Sequence, residues 1–228
     1  MKWHKTNVHF ILMWIILLST LLMAQDYVAV IIKSRGAVHL TRANSTRSIT
    51  AQKGHVLRSG DKIETEKASF CAIKFLDDKS LLRIKQNSLI TIEGKKEKEK
   101  IDKNIIVEFG TFLASIFKQK GSFKVTTPTS VASIKGTEFW TIQTRDGRTI
   151  YIALEGLIDL LNDAGRVLLR PGQTAVVKSL SQLPIIRLTD PNEIPTLEEE
   201  GQGRKSLEIE FQDRNGQTRR LKIDLEEK

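Results

Sequence analysis

The sequence predicts an all-β protein, with stacked short strands in a β-solenoid-like or sandwich-like body and a C-terminal β-hairpin. Three observations point there. Apolar and polar residues alternate with period two through most of residues 27–178, as half-buried strands require. Turn chemistry interrupts the alternation roughly every ten residues. Helical spacing is nearly absent; only Glu108–Lys118 shows a weak trace of it, and its Phe109, Thr111 and Ile116 suit a strand as well.

Taken in order, residues 1–24 read as a signal peptide. Lys2, His4 and Lys5 form a basic start, Phe10–Leu22 is an apolar run, and Met23-Ala24 precede the polar Gln25-Asp26. The run is short for a membrane span, which needs roughly 20 apolar residues, so cleavage after Ala24 is expected. Residues 25–182 follow as the β body. Val28, Val30 and Ile32 open it, Val38 and Leu40 continue, and Ile84, Ile90 and Ile92 repeat the pattern. Between them stand Ser34-Arg-Gly36, Arg58-Ser-Gly-Asp61, Asp77-Asp-Lys-Ser80, Arg145-Asp-Gly147 and Asn162-Asp-Ala-Gly165, the residue types that close tight turns. The mixed-sign run Lys95–Lys100 cannot fill a core and reads as a solvated loop or hairpin tip. Gly36–Leu40 followed by Leu57-Arg-Ser-Gly60 is echoed by Gly156–Leu160 followed by Leu169-Arg-Pro-Gly172, a degenerate internal repeat consistent with stacked β-layers. Residues 183–206, with Pro184, Pro191, Pro195 and an acidic finish, read as a linker. Residues 207–228 close the chain as a hairpin: Leu207–Phe211 and Leu221–Leu225 alternate around Asp213-Arg-Asn-Gly216. Isolated hairpins are marginal in water, so it is expected to dock on the body or on another protein.

Composition narrows the function. A single cysteine, Cys71, excludes an intrachain disulfide, and its alternation with Ile73 and Phe75 marks it as a buried small hydrophobe. His39 and His55 stand alone, so a thiol nucleophile with a histidine partner is not indicated. Gln25–Thr189 carries 27 Lys/Arg against 16 Asp/Glu, net +11, whereas Asp190–Lys228 carries 7 against 11, net −4. A basic body attracts anionic partners, but export removes nucleic acid as an everyday one. An envelope glycan hydrolase would need paired carboxylates in a cleft, and the acidic residues here cluster in turns and the tail. No catalytic, cofactor-binding or metal-binding residue is expected.

The most informative stretch is Thr126–Trp140. Its Thr127, Pro128, Val131, Ala132, Gly136, Thr137, Glu138 and Phe139, then Glu155 and Gly156, then Pro171, Gly172 and Gln173, resemble the core of the FecR-type extracytoplasmic domain. That core reads roughly as "TP-x-x-VA-x-x-(R/K)GTEF", a "LEG-x-V" turn and a closing "x-PGQ-x-x-x-V". A looser likeness runs through Lys53–Thr65 and Phe75–Leu82, where Lys79 takes the place of a usual turn glycine. The resemblance implies a periplasmic or secreted, β-rich recognition or scaffolding module rather than an enzyme. Its partner would be an envelope protein or glycan, with membrane contact only through an uncleaved signal segment. In cell-surface signalling the domain is the periplasmic part of a regulator with a cytoplasmic anti-sigma segment. Only about nine residues precede the apolar run here, so a stand-alone exported member without that segment is expected. A periplasmic regulator acting with separately encoded membrane partners is the alternative.

The motif residues themselves look architectural. Pro128 fixes its own φ and extends Thr127. Ile134, Glu138 and Trp140 share one parity while Phe139 takes the other, so the strand is buried on both sides or its phase is reset by a bulge at Gly136-Thr137. Glu138 is expected to accept hydrogen bonds from turn amides or from Lys135, and Glu155-Gly156 and Pro171-Gly172 to form turns.

Overall fold

The computed structural model describes residues 27–197 and, as backbone, the strands Lys205–Gln212 and Thr218–Leu225. Residues 1–24, expected to be a signal peptide, and Asp213–Gly216, expected to be a turn, lie outside the described residues. The chain divides into two compact units, Met1–Ile194 and Pro195–Lys228.

In the first unit, strand follows strand. Tyr27–Arg35 (β1), Val38–Thr41 (β2), Ser48–Thr50 (β3), Val56–Arg58 (β4), Asp61–Thr65 (β5), Phe70–Phe75 (β6), Leu81–Ile84 (β7) and Ser88–Glu97 (β8) make the first half. The 16-residue Lys100–Ser115 (β9) comes next. Phe123–Thr127 (β10), Ser130–Lys135 (β11), Glu138–Gln143 (β12), Thr149–Ala153 (β13), Leu157–Asn162 (β14), Gly165–Leu169 (β15), Gln173–Val177 (β16) and Ile185–Leu188 (β17) complete it. The last strand and the short 3-10 turn Pro191–Glu193 occupy the first part of the stretch read as a linker. The linker reading failed there because prolines at 184 and 191 flank β17 without entering it.

These strands form two faces. Sheet A runs β4-β1-β6-β7-β9-β12-β13-β16-β17. Sheet B runs β3-β2-β5-β8-β9-β10-β11-β14-β15. All pairings are antiparallel except β9 with β10. The chain shuttles between the faces as it climbs, which makes a sandwich of stacked layers. The strand β9 belongs to both: residues up to Phe109 pair in sheet B, and Gly110–Ser115 pair in sheet A. It bends at Gly110, whose φ is +121° and whose Cβ, if present, would lie 2.2 Å from the Ser88 hydroxyl. Only glycine meets both conditions.

Alternation puts the core between the sheets. Cys71, Ile73 and Phe75 enter from β6, Ile101, Ile105 and Val107 from β9, and Phe123, Ala132, Phe139 and Tyr151 from the second half. Phe75, Phe123, Phe139 and Phe112 form an edge-to-face chain with centroids 5.9–6.5 Å apart, a favoured ring geometry. Burial pushes the Cys71 thiol up to about 12.

In the second unit, Lys205–Gln212 (β18) pairs antiparallel with Thr218–Leu225 (β19), with Leu207 opposite Ile223 and Ile209 opposite Leu221.

Candidate binding surface

The motif residues build corners. The segment Gly136-Thr137 carries the chain from β11 in sheet B to β12 in sheet A, and Glu155-Gly156 carries it back from β13 to β14. The two corners stack on each other. The Thr137 hydroxyl donates to the Glu155 carbonyl, and the Glu138 carbonyl accepts from the amides of Leu154 and Glu155 at 2.9 and 3.0 Å. A Cβ on Gly156 would sit 2.3 Å from the Gly136 oxygen, so the approach exists only because residue 156 has no side chain. A third corner, Pro171-Gly172, lies on this column: the Gly172 amide donates to Ala153, and Gln173 folds back so that its side-chain oxygen accepts from the Arg170 amide.

The parity conflict in the sequence is thereby resolved. Ile134 points into the core from sheet B and Phe139 from sheet A, because the corner between them changes sheets. Trp140, on the outer face of sheet A, is still only 2% exposed. The Glu138 carboxylate accepts from the Ser115 hydroxyl, which in turn accepts from Arg83, so Lys135 is not its partner.

Thr127 and Pro128 stand at the other end of the strands, in the turn between β10 and β11. Thr127, Thr129, Ser130, Gln143, Thr149 and Tyr151 form one buried hydroxyl and amide network there, with Thr129–Thr149 at 2.6 Å and Ser130–Tyr151 at 3.1 Å. Such a network satisfies polar groups that would be costly to bury alone. Burial raises the Tyr151 phenol to about 12. Of the remaining motif residues, Ala132 is in the core and Val131 is half-buried on the outside of sheet B.

A buried charge cluster lies under the β6–β7 turn. Lys103, 1% exposed, donates to Asp77 and Asp78 at 2.8 Å each and to the Ile101 and Lys120 carbonyls at 3.1 and 3.3 Å. Burial opposes ionisation of Asp78, but hydrogen bonds from Lys103 and Ser80 outweigh it and hold its pKa below the usual carboxylate value. The turn residue Lys79 takes φ +62°, the conformation a glycine would have supplied. The charges of Lys103, Asp77 and Asp78 are turned inward onto one another, which is the signature of a structural cluster.

Two outward features remain. Among the described residues, β15 and β17 each pair on one side only, so both sheets end in an open edge at the C-terminal end of the sandwich. There Ile185 is 50% and Leu188 81% exposed. On the outside of sheet B, a groove of about 640 Å³ is lined by residues of β10, β11, β14 and β15 and by Gln119 and Ser122 of the preceding loop. Among the described residues no group of His, Cys, Asp and Glu is arranged to hold a metal, and no helix is long and apolar enough to cross a membrane.

Residues 61–159, from the start of β5 into β14, match the FecR protein family. That stretch is similar to a FecR domain. No curated protein matches the chain. Two crystal structures, at 2.50 and 1.65 Å resolution, each of a candidate anti-sigma factor from Parabacteroides distasonis ATCC 8503, are similar to it at 12% identity and a TM-score of 0.49. Each match covers 57% of this chain and 60% of the other.

The matched stretch contains ten of the motif residues, Thr127 to Gly156, while Pro171, Gly172 and Gln173 lie beyond it. The structure gathers the Gly136, Glu155 and Pro171 segments into one column and leaves the Thr127-Pro128 turn at the other end. Sequence reasoning missed Lys103 and the groove. For Lys103 a signal existed: it occupies the inward parity of Ile101, Ile105 and Val107, and two consecutive aspartates stand in a nearby turn. Half of the internal repeat has a structural meaning: Gly36 and Gly156 both lead the chain from sheet A to sheet B. The Leu-Arg-x-Gly pieces do not correspond, since Leu57 is in sheet A and Leu169 in sheet B.

Proposed function

We propose that this chain is an exported, non-catalytic binding module of the bacterial envelope, whose FecR domain engages a protein, glycan or cell-wall partner through an open strand edge. The observation that carries this reading is the unprotected end of the sandwich. Natural sheets blunt their edges with lysines, prolines or bulges, because an exposed row of amides and carbonyls invites another strand. The edge strand β17 instead presents Ile185 and Leu188 to solvent with Arg187 as its one charge. An edge left in this state is suited to strand addition.

The test is capture from envelope extract with the full mature chain, against the double variant Ile185→Lys and Leu188→Lys. Both side chains are exposed, so the variant keeps the wild-type melting temperature. The expected result is loss of the captured partner. Equal capture by both proteins would remove the edge from the interaction.

A periplasmic regulator acting with separately encoded membrane partners is the second reading, favoured by the FecR family match. Co-purification with an outer-membrane receptor, rather than with cell-wall material, would select it.

A further inference from the structure

The groove outside sheet B supplies a ligand class for the binding role proposed above, on which this inference rests. Outward residues meet there in cross-strand rows. Lys124 is opposite Ser133, Ser133 opposite Asp159 and Asp159 opposite Leu168, with Lys135 opposite Leu157 in the next row. Leu157 and Leu168 are exposed apolar side chains at one flank. Arg166 donates to Asp159 from Nε at 2.7 Å and from a second nitrogen, so that pair is neutral. The balance of charge therefore comes from Lys124 and Lys135, which make no ion pair among the described residues. Diagonal neighbours across an antiparallel pair are about 7–8 Å apart, within reach of one carboxylate held between two ammonium groups.

We propose that this groove binds a short acidic peptide segment of a partner protein, with its carboxylates on Lys124 and Lys135 and an apolar side chain against Leu157 and Leu168. The Ser133 hydroxyl supplies a neutral hydrogen-bonding group for a main chain, whereas the Gln119 amide is spent on Gly121, Ile134 and Gly136. Phe123, the lining ring, is 1% exposed and belongs to the core, so the groove lacks the aromatic platform that flat rings stack on. Charge complementarity and the leucine flank together favour a peptide over a glycan.

The probe is a labelled hexapeptide alternating leucine and glutamate, titrated into the full mature chain and read by fluorescence anisotropy. It should bind at least about tenfold more tightly than its leucine–lysine counterpart, and added salt should weaken it. The double variant Lys124→Glu and Lys135→Glu should lose at least about tenfold in affinity. Lys53→Glu with Lys67→Glu, an equal charge change at remote exposed sites, should leave the affinity unchanged. Indifference to peptide charge, or equal binding by the groove variant, would overturn the assignment. So would groove-dependent binding of an anionic oligosaccharide or anionic vesicles in place of the peptide. Circular dichroism and melting confirm that each variant is folded. The edge variant Ile185→Lys and Leu188→Lys should retain peptide affinity, so this proposal and the edge reading fail separately.

Discussion

Replacing Lys103 with methionine should cost more stability than any other single change in the β6–β7 region. Lys103 is buried with two carboxylates, each 2.8 Å from its ammonium, and Asp77 also accepts from the Ile101 amide at 2.8 Å. Methionine fills much of the space but leaves two buried anions with no counter-charge. Removing one partner of a buried ion pair costs about 3–5 kcal/mol, against a total of about 5–15 kcal/mol for a typical domain. The pH dependence follows from the direction of the Asp78 shift. In the native protein its pKa is depressed, so its contribution is present above the unfolded value of about 3.9 and is lost as pH falls through the folded value. Without Lys103 the Asp78 carboxylate keeps the Ser80 amide but loses the ammonium beside it, so burial raises its folded pKa and the neutral form becomes accessible in milder acid. The deficit should therefore be largest near pH 7 and shrink towards pH 4.5. Urea unfolding at both pH values, followed by circular dichroism, measures it. A loss under about 1 kcal/mol at neutral pH, or one that grows on acidification, would refute the reasoning. Adding Asp77→Asn and Asp78→Asn to Lys103→Met should recover part of the loss.

Gly156→Ala should destabilise by more than about 2 kcal/mol, because it adds a backbone collision at 2.3 Å to a φ of +67°. Gly136→Val should cost only about 1–2 kcal/mol, since φ is +49° but nothing lies within 4 Å of the new Cβ; the reverse order of melting temperatures would contradict both. Cys71 should resist thiol reagents in the native protein and label fully in urea, because it is fully buried with its thiol raised to about 12; rapid native labelling would show that β6 opens. Mass spectrometry of the protein recovered from the envelope should show loss of residues 1–24, and an intact N-terminus would count against export by cleavage.

Much of the body was legible because strand period and turn chemistry are local properties. Val38 and Leu40, or Cys71, Ile73 and Phe75, declare their inward face without any partner, and the structure buries all five. What is not local was not legible. Period alone cannot show that Gly136-Thr137 moves the chain from one sheet to the other. It therefore left a strand buried on both sides and a bulge equally open. Nor could it show that the corner at Gly136 rests on the one at Gly156, a contact made by backbone oxygen and an absent side chain. The groove escaped for a related reason. Lys124, Lys135 and Leu157 come from three strands, and each is unremarkable by itself. The strand β17 was hidden by its flanking prolines, which resemble linker chemistry in one dimension but merely delimit an edge in three.

The bend in β9 has a bearing on how the fold is reached. That single segment joins β7 to β12 on one face and β8 to β10 on the other, so among the described residues strands earlier and later in the chain are linked by backbone pairing only through it. Neither block can seal its interior until residues 100–115 are in place, which ties the assembly of both to one event. Hydrogen exchange should find its amides among the slowest, and a nick there should release the early and late layers together.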